Sequence, residues 1–296
     1  TNAILWIVDL GNFVAIDWGT TNRRAYLIED GVVTHSERDD RGISAIPEGG
    51  FDAEIDALPA RFAGHPILLA GMVGSNRGWI DAGYVPPPAS LAELARNLVR
   101  PRPGVAVGPG VSVIEDGRGD VMRGEEVQLL GALAAGLVPA DALLCQPGTH
   151  CKWAWMSDGA IARFVTTMTG ELFRLLNDHA LIGRDMQGTV SPDAAFAAGV
   201  AEAKKGDLLA SLFGARPAIL LGLRSAAETA SFVSGLVIGT DVHARMRPGE
   251  TVYLLADRAL GALYVSAITL AGGEARLIDS HEAFAAGIIR IEELAR

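Results

Sequence analysis

The stretch that decides the fold is Phe13-Val-Ala-Ile-Asp17-Trp-Gly19-Thr20-Thr21-Asn22-Arg23-Arg-Ala-Tyr-Leu-Ile28. An apolar run ends at Asp17, a short polar segment follows, and a second apolar run leads away, so the pattern predicts a β-hairpin with a polar tip. Gly19 allows a bulky anion to approach the backbone, and the hydroxyl groups of Thr20 and Thr21 are donors for phosphate oxygens. Asp17 is suited to hold a hydrated divalent cation beside them. The stretch therefore predicts a phosphate-binding hairpin, with an ordinary polar turn as the alternative.

Two widespread phosphate loops are excluded around this hairpin. No Gly-x-x-x-x-Gly-Lys-Ser/Thr segment opens a helix after the first strand, and Gly-x-Gly-x-x-Gly does not occur there either. A nucleotide-binding fold in this chain must therefore be of another type.

The composition predicts a globular protein with a sizeable core. The chain has 296 residues, 49% of them hydrophobic, which is enough for two domains of roughly 150 residues each. The formal net charge of -10 and the pI near 5.1 argue against a general binder of nucleic acid or of anionic membranes, because both need a basic surface. An anionic ligand must then be met locally, by backbone amides, a metal ion and a few arginines.

Cysteine usage and hydropathy predict a cytoplasmic protein without a membrane segment. Cys145 and Cys151 are too few for a disulfide framework, and their spacing makes a poor zinc site. The sequence has no run of about 18 apolar residues, and Thr1–Leu10 lacks the basic start and cleavage site of a signal peptide. The apolar segment Ile4–Val8 is expected to be either an additional strand or a stretch outside the fold.

The second half of the chain repeats the organisation of the first. In each half, two hairpin strands with Gly-Thr at the tip precede a third strand, a helix and a further strand. The predicted segments are 13–28, 31–36, 51–62 and 66–70 in the first half, and 142–156, 161–166, 171–181 and 251–256 in the second. The second tip carries Gly148 and Thr149. This duplication is more specific than either hairpin alone, and it predicts one domain over residues 11–138 and another over residues 139–296.

A glycine-rich polar loop follows the buried strand 66–70, at the kind of strand end where open α/β sheets bind ligands. Gly74, Ser75, Arg77 and Trp79 in this loop are candidate substrate-binding residues. A flexible surface loop is the alternative interpretation. Either Arg77 or Arg123 is expected to pair with a carboxylate in a bidentate fork, which lysine would not reproduce.

Two acidic residues are candidates for a general base. Asp120 is expected just before a helix, and Glu125 within the first turn of that helix. Either carboxylate could accept a proton from a substrate hydroxyl, whereas the alternative is that they only cap the helix or complement its dipole. The residues alone leave the choice between them open.

Several blocks together resemble the 2-dehydro-3-deoxygalactonokinase family of the sugar kinase and actin-like ATPase superfamily. They are Phe13-Val-Ala-Ile-Asp-Trp-Gly-Thr-Thr-Asn22, Gly71-Met-Val-Gly-Ser75, Gly119-Asp-Val-Met-Arg-Gly-Glu-Glu126 and Gln146-Pro-Gly-Thr-His-Cys-Lys-Trp153. The resemblance runs from Phe13 to the C-terminus. It implies a two-domain α/β fold of the actin-like (ribonuclease H-like) type, with duplicated strand-strand-strand-helix-strand units and an interdomain cleft. It also implies phosphorylation of the 6-hydroxyl of 2-dehydro-3-deoxy-D-galactonate by ATP and Mg²⁺.

The resemblance implies roles for individual residues. The first phosphate loop corresponds to Asp17, Gly19, Thr20 and Thr21, with Asp17 also at the metal, and the second to Gly148 and Thr149. Lys152 beside the second tip could contact the terminal phosphate, whereas the alternative is that it only caps the hairpin. Asp257 and Gly261 fall in the adenosine region, although Ala256-Asp-Arg-Ala replaces the family's glycine-rich start. The superfamily's base is usually an aspartate, which favours Asp120 over Glu125.

Other functions remain open at this point. A kinase for another sugar or sugar acid is the main rival. A non-catalytic sugar-sensing regulator would tolerate loss of Asp17 and of the base, and a filament or chaperone ATPase would need an additional region. The expected partners are a small sugar acid and ATP, with a possible homodimer and without nucleic acid or membrane.

Overall fold

The computed structural model describes residues 11–62 and 64–296, so the predicted segment Ile4–Val8 lies outside the described residues. The chain divides into two compact units. The first contains the residues up to Pro139 together with Gly159–Ala162 and His281–Arg296, and the second contains Ala140–Asp158 and Arg163–Ser280. In the described part of the chain, no helix is long and apolar enough to cross a membrane.

The first unit is built on a six-stranded sheet with the order β3-β2-β1-β4-β7-β6 and a three-stranded sheet with the order β5-β8-β9. Its elements are β1 (Phe13–Trp18), β2 (Arg23–Glu29), β3 (Val32–Asp39), α1 (Phe51–Arg61), β4 (Ile67–Gly71), β5 (Tyr84–Val85), α2 (Leu91–Arg96), β6 (Val99–Arg102), β7 (Val105–Val107), β8 (Gly110–Glu115), β9 (Arg118–Met122) and α3 (Glu125–Ala134).

The second unit contains a five-stranded sheet with the order β12-β11-β10-β13-β14. Its elements are β10 (Ala142–Gln146), β11 (Cys151–Ser157), β12 (Ala160–Thr167), α4 (Thr169–His179), α5 (Ala194–Ala203), α6 (Leu208–Leu220), α7 (Ala226–Arg245), β13 (Thr251–Leu255), α8 (Arg258–Leu270) and β14 (Glu274–Ile278). The chain ends with α9 (Ser280–Ala295).

The two sheets share one plan, which confirms the predicted duplication and fold class. β1 pairs antiparallel with β2 and parallel with β4, and β10 pairs in the same way with β11 and β13. The next strand is parallel again in both units, since β7 follows β4 and β14 follows β13. Each hairpin thus projects its tip from the middle of its sheet, as expected of an actin-like ATPase.

Three hairpins in the chain use the same Asp-Gly turn. Asp30, Asp116 and Asp158 all have φ near 51°, and each is followed by a glycine with positive φ. This left-handed pair matches the twist of a two-residue hairpin. The turn at Asp116 corrects the sequence prediction, because residues 116–120 form a hairpin arm rather than the approach to a helix. Asp120 consequently lies within β9, opposite Val113, and not beside the helix start.

The hairpin β6–β7 at the sheet edge was also not predicted. Its segment Val99-Arg-Pro-Arg-Pro-Gly-Val105 has few apolar residues and two prolines, so it lacks the usual strand pattern. Proline is tolerated at an edge because its missing N–H faces outward from the ladder. The position of β6 at the edge becomes visible only in the assembled sheet, so the sequence alone did not indicate this hairpin.

The last helix packs on the first unit, whereas the sequence-based domain over residues 139–296 had placed it in the second. A Cβ atom at Gly131 of α3 would overlap the carbonyl oxygen of Ala283 in α9. A Cβ atom at Gly287 of α9 would overlap the carbonyl oxygen of Val127 in α3. Paired glycines therefore let the two helix backbones touch.

We expect Gly131→Ala to lower the stability of the protein by about 2 kcal/mol or more, since the methyl group must push α3 and α9 apart. Gly214→Ala in α6 is the matched control, because a Cβ atom there meets nothing within 4 Å. This control should be neutral or stabilising by up to about 1 kcal/mol, the usual helix preference for alanine. Urea unfolding followed by circular dichroism measures both, and equal midpoints for the two variants would contradict the tight contact.

Candidate active site

The tip of the first hairpin is fixed by its backbone. The N–H of Gly19 donates to Asn22 O at 2.9 Å. The carbonyl oxygens of Gly19, Thr20 and Thr21 accept from backbone N–H groups in the segment 42–44, at 3.0 to 3.1 Å. Since the carbonyl groups are occupied in this way and both threonines are exposed, donor groups dominate the open side of the tip. This is the arrangement that an anion needs.

The buried Arg23 stabilises the same hairpin at the strand pair next to its tip. The Arg23 guanidinium lies 4.8 Å from the centre of the Trp18 ring and pairs with Asp39 at 2.7 Å and Glu54 at 3.0 Å. Trp18 itself donates its indole N–H to Arg41 O at 2.8 Å. Because these groups are largely withdrawn from water, the bonds hold the hairpin in one position against α1.

Two glycines bring helix α3 against the end of the hairpin. Gly71, at the end of β4, has φ of 93°, and a Cβ atom there would lie 2.8 Å from Trp18 O. Gly124, just before α3, has φ of 100°, and its Cβ atom would lie 3.1 Å from the Gly71 Cα atom. Any side chain at either position would separate the two backbones. The contact therefore places the first turn of α3 beside Asp17.

The carboxylates gathered at this point are electrostatically strained. Burial, and then the nearby charge of Glu125, raise the pKa of Asp17 to about 6. Arg24 and a 3.4 Å hydrogen bond from Gln128 act in the opposite direction. Burial and Glu125 likewise raise the pKa of Glu126 to about 8. Ionisation of these buried carboxyl groups is therefore costly, and a cation bound beside Asp17 would relieve that cost.

The structure brings Glu125 into the electrostatic surroundings of Asp17. Glu125 begins α3, and one of its carboxylate oxygens accepts from Arg123 N at 3.1 Å. Glu126 accepts from Gly124 N at 2.9 Å, so both glutamates also accept hydrogen bonds from backbone N–H groups just before the helix. Asp120 instead accepts from the adjacent Val121 N at 2.8 Å within β9.

In the predicted substrate loop, Ser75 and Trp79 already form hydrogen bonds with neighbouring residues of the first unit. The Ser75 hydroxyl donates to Met72 O at 2.7 Å and accepts from Arg77 N at 3.3 Å. The Trp79 indole N–H donates to Asp52 at 2.8 Å. Arg77 is exposed. These contacts show Ser75 and Trp79 shaping the loop, whereas their contact with a substrate stays a prediction.

Arg123 lies beside Gly74 and is buried. A Cβ atom at Gly74 would lie 3.1 Å from Arg123 Nη1. Nη2 donates to Gly83 O at 2.9 Å, and the guanidinium stacks 4.4 Å from the centre of the Tyr84 ring. Among the described residues, none accepts a hydrogen bond from Nε or Nη1, although both atoms are buried. Unpaired buried donors are costly, and a carboxylate would satisfy them.

The second hairpin tip lines a mainly apolar cavity of about 340 Å³. Gly148 and Thr149 form one side, and a Cβ atom at Gly170 would overlap Gly148 O, so α4 begins directly against the tip. The rest of the lining comes from α4, α7, α8 and the chain before α5: Thr169, Phe173, Arg174, Val190, Ser234, Val237, Ile238, Leu260, Leu263 and Tyr264. An aromatic base between such walls would be shielded from water.

Asp241 of α7 connects several elements next to this cavity by hydrogen bonds. One of its oxygens accepts from Trp153 Nε1 at 3.1 Å, from the Thr167 hydroxyl at 3.0 Å and from the Thr169 hydroxyl at 2.9 Å. The other lies 3.2 Å from the Arg245 guanidinium. The buried carboxylate thereby joins β11, β12, α4 and α7, and fixes the start of α4 next to the hairpin tip.

Asp257 and Gly261, the two residues predicted for the adenosine region, lie at the start of α8 and within it. Asp257 is the N-cap of α8, where its carboxylate accepts from Ala259 N and Leu260 N at 2.9 Å. Gly261 lies inside the helix and faces Leu277 of β14. Neither residue lines the cavity, whereas Leu260 and Tyr264 of the same helix do. Lys152 is buried and donates to His150 O at 3.4 Å, and its contact with a phosphate remains a prediction.

A family model described as 2-keto-3-deoxy-galactonokinase matches residues 17–291. This chain belongs to that family. A 2-dehydro-3-deoxygalactonokinase of Escherichia coli (strain K12) is 35% identical over 283 residues, covering 93% of this chain and 96% of the relative. The crystal structure of a Sinorhizobium meliloti protein described as a 2-dehydro-3-deoxygalactonokinase is 34% identical, with a TM-score of 0.86 over 96% of this chain and 98% of the other.

Membership of the galactonokinase family confirms the resemblance and identifies the chain as a phosphotransferase that acts on an alcohol group. Because the similarity to kinases runs through both units, the alternatives of a regulator and of a filament or chaperone ATPase are not supported. The family also implies use of ATP.

Sequence reasoning missed several residues at both sites of this galactonokinase family member. Gln128 stands three positions after Glu125, and so on the same face of α3; a lone glutamine in an apolar helix was a usable signal. The cavity lining of the second unit carried no such signal, since it assembles apolar residues from distant segments.

The carboxylates of the first unit fit Mg²⁺ as a partner of phosphates and water. Within residues 11–62 and 64–296, no three acidic, histidine or cysteine side chains are grouped so that they could hold a metal ion by themselves. Mg²⁺ usually takes one or two carboxylates and completes its shell with phosphate oxygens and water. Asp17, whose carboxyl group is largely buried beside Glu125, matches that demand.

We expect Glu126→Gln to flatten the dependence of stability on pH in metal-free buffer. Unfolded, Glu126 ionises near its ordinary pKa of 4.5; folded, it ionises near 8. Its contribution is therefore complete below pH 4.5 and is lost as the pH rises toward 8, at about 1.4 kcal/mol per pH unit. Urea unfolding at pH 5, 6.5 and 8 should show a growing gap in favour of the variant. Parallel curves for both proteins would refute the burial of an ionisable Glu126.

Proposed function

We propose that this chain transfers the γ-phosphoryl group of ATP to the 6-hydroxyl of 2-dehydro-3-deoxy-D-galactonate, giving the 6-phosphate and ADP. The observation that carries the proposal is the placement of Glu125 beside Asp17 at a donor-rich hairpin tip, through the contact of Gly71 with Gly124. The similarity to the Escherichia coli 2-dehydro-3-deoxygalactonokinase supports this acceptor.

The nucleotide is proposed to bind in the second unit. The apolar cavity next to Gly148 and Thr149 is of a size that suits an adenine ring, and the hairpin tip supplies backbone groups for phosphate oxygens. The Asp241 hydrogen bonds keep Thr169 and the start of α4 in place before ATP arrives. Preorganisation of this kind lowers the entropy cost of binding.

The first unit is proposed to supply the charges that act on the transferred group. Asp17 would hold Mg²⁺, which neutralises phosphate charge when it is bound. The exposed tip at Thr20 and Thr21 offers hydroxyl and amide donors to the phosphate oxygens. Phosphoryl transfer has a loose transition state, so positioning and charge neutralisation contribute more than covalent chemistry.

Glu125 is proposed as the general base. As the acceptor oxygen bonds to phosphorus and the bond to the ADP oxygen breaks, the hydroxyl proton passes to a Glu125 carboxylate oxygen. The bond from Arg123 N fixes the orientation of that carboxylate. Arg123, whose buried Nε and Nη1 atoms have no acceptor among the described residues, is proposed to bind the substrate carboxylate next to Gly74. Asp120 lies in β9, which makes it the weaker candidate.

The activity is tested by coupled ATP consumption over a panel of sugars and 2-keto-3-deoxy sugar acids, with the product identified by ³¹P NMR. We expect the highest kcat/KM for 2-dehydro-3-deoxy-D-galactonate and a phosphomonoester at carbon 6. A higher kcat/KM for another acceptor would replace the substrate in the proposal while leaving the kinase assignment intact.

We expect Glu125→Gln to lower kcat by about 10²- to 10⁴-fold, the usual contribution of a positioned base. The amide keeps an oxygen that can accept from Arg123 N, so the fold should persist. Asp120→Asn is the matched control and should stay within about threefold of the wild type. The reverse pattern, with activity lost only in Asp120→Asn, would move the base to β9.

We expect Ser234→Leu to weaken ATP binding by at least about tenfold, since the larger side chain enters the cavity that Ser234 lines. Ser234→Ala at the same position keeps the space open and should bind ATP like the wild type. Isothermal titration with a non-hydrolysable ATP analogue measures both affinities. Equal affinity in both variants would place the nucleotide outside this cavity.

A further inference from the structure

An apolar surface on the second unit remains uncovered by the described residues. Leu209, Phe213 and Leu220 of α6 are 81%, 77% and 76% exposed. Leu221 and Leu223, in the turn that follows, are 73% and 77% exposed. We call these five residues the α6 face.

Helix α6 is apolar on nearly all sides. Ala215 is buried, and Leu208 and Leu212 pack on the core between α6 and α7, so one side of the helix is already used. A helix that is apolar all round is normally buried all round. The apolar outer side of α6 is therefore typical of a helix surface that is covered in the functional state.

The size of the α6 face suits a specific interface. Each of its side chains exposes on the order of 100 Å² of apolar surface, so the face offers roughly 500 Å². Patches of this size on soluble proteins commonly mark interaction sites. Two such faces together would bury roughly 1,000 Å², which is the smallest area expected of a specific protein interface.

The charges around the face favour association. No aspartate or glutamate stands between Asp207 and Glu228, although the whole chain carries a formal net charge of -10. The segment carries two arginines, Arg216 and Arg224. In space, Asp185 Oδ2 lies 3.6 Å from Arg216 Nε, so the carboxylate nearest the stripe is paired. Two copies of an acidic protein repel each other least where carboxylates are few and paired, whereas an anionic membrane would repel the rest of the chain.

We propose that two copies of this chain associate through their α6 faces, as antiparallel helices about a two-fold axis. The stripe Leu209, Phe213, Arg216 and Leu220 has spacings of four, three and four, and is therefore its own complement in the reverse direction. With the axis between Gly214 and Ala215, Leu209 meets the partner's Leu220, and the Phe213 ring meets the partner's Arg216. An arginine over an aromatic ring adds a cation–π attraction to the apolar contact. This self-complementarity is why the occupant is a second copy.

The first test measures mass in solution by sedimentation velocity over a range of concentrations. The wild type should sediment at twice the chain mass of 31.0 kDa. Phe213→Glu should raise the dimer dissociation constant by about 1,000-fold, because the symmetry introduces the change twice at the centre of the interface. The control is Ile114→Glu, which places the same charge at an 84% exposed apolar position of β8 and should leave the dimer intact. Circular dichroism and kinase activity confirm the fold of both variants.

The second test checks the direction of the helices by oxidative cross-linking. Leu209→Cys mixed with Leu220→Cys should form a disulfide-linked dimer, whereas Leu209→Cys alone should not, since its two copies would be about 16 Å apart along the helix axis. Cys145 and Cys151 are buried and do not compete. A monomeric wild type, a dimer that survives Phe213→Glu, or cross-linking of Leu209→Cys alone would each overturn the proposal.

Discussion

The contact between Gly71 and Gly124 is the constraint on which the first unit depends. It allows the end of β4 and the entrance to α3 to approach within the distance that only two glycines permit, both in a conformation that other residues rarely adopt. Because α3 cannot move away from the sheet, Glu125 and Gln128 are brought to Asp17, which stands at the end of β1. A single Cβ atom at this point would separate the elements whose proximity makes a catalytic site.

The free-energy cost of burying these carboxylates is offset by packing elsewhere in the first unit. Asp17 and Glu126 have raised pKa values because they are buried next to another carboxylate, and that cost must be offset by the rest of the fold. The brace of Arg23 against Trp18, the apolar core under β1 and β4, and the glycine contacts of α3 with α9 supply rigidity on three sides. A bound cation would relieve the cost of burying the carboxylates, so its binding would be favoured. Groups with perturbed pKa values are often found at functional sites for this reason.

The second unit also holds its hairpin tip in a fixed position. Its hairpin is positioned by the close approach of Gly170 to Gly148, and the hydrogen bonds that converge on the buried Asp241 add to this glycine contact. The cavity beside it is apolar and carries few charges. The division suits a kinase, in which one unit holds charges for the reacting groups and the other holds a largely uncharged base.

The sequence by itself determined the duplicated hairpins, the order of strands and helices in each repeat, the family, and Asp17 with the two tips, because these depend on local patterns of apolar residues, glycine and threonine. It did not determine that Asp120 lies in β9, that α9 joins the first unit, or that Gln128 and Glu125 stand beside Asp17. It also gave no indication that Asp257 caps α8 while Leu260 and Tyr264 line the cavity. Asp120 and Asp257 are placed by local features, an Asp-Gly turn and a helix cap. The positions of α9, of Gln128 and of the cavity lining were decided by the tertiary structure alone, since they depend on contacts between residues far apart in the chain, which leave no periodic trace in either partner.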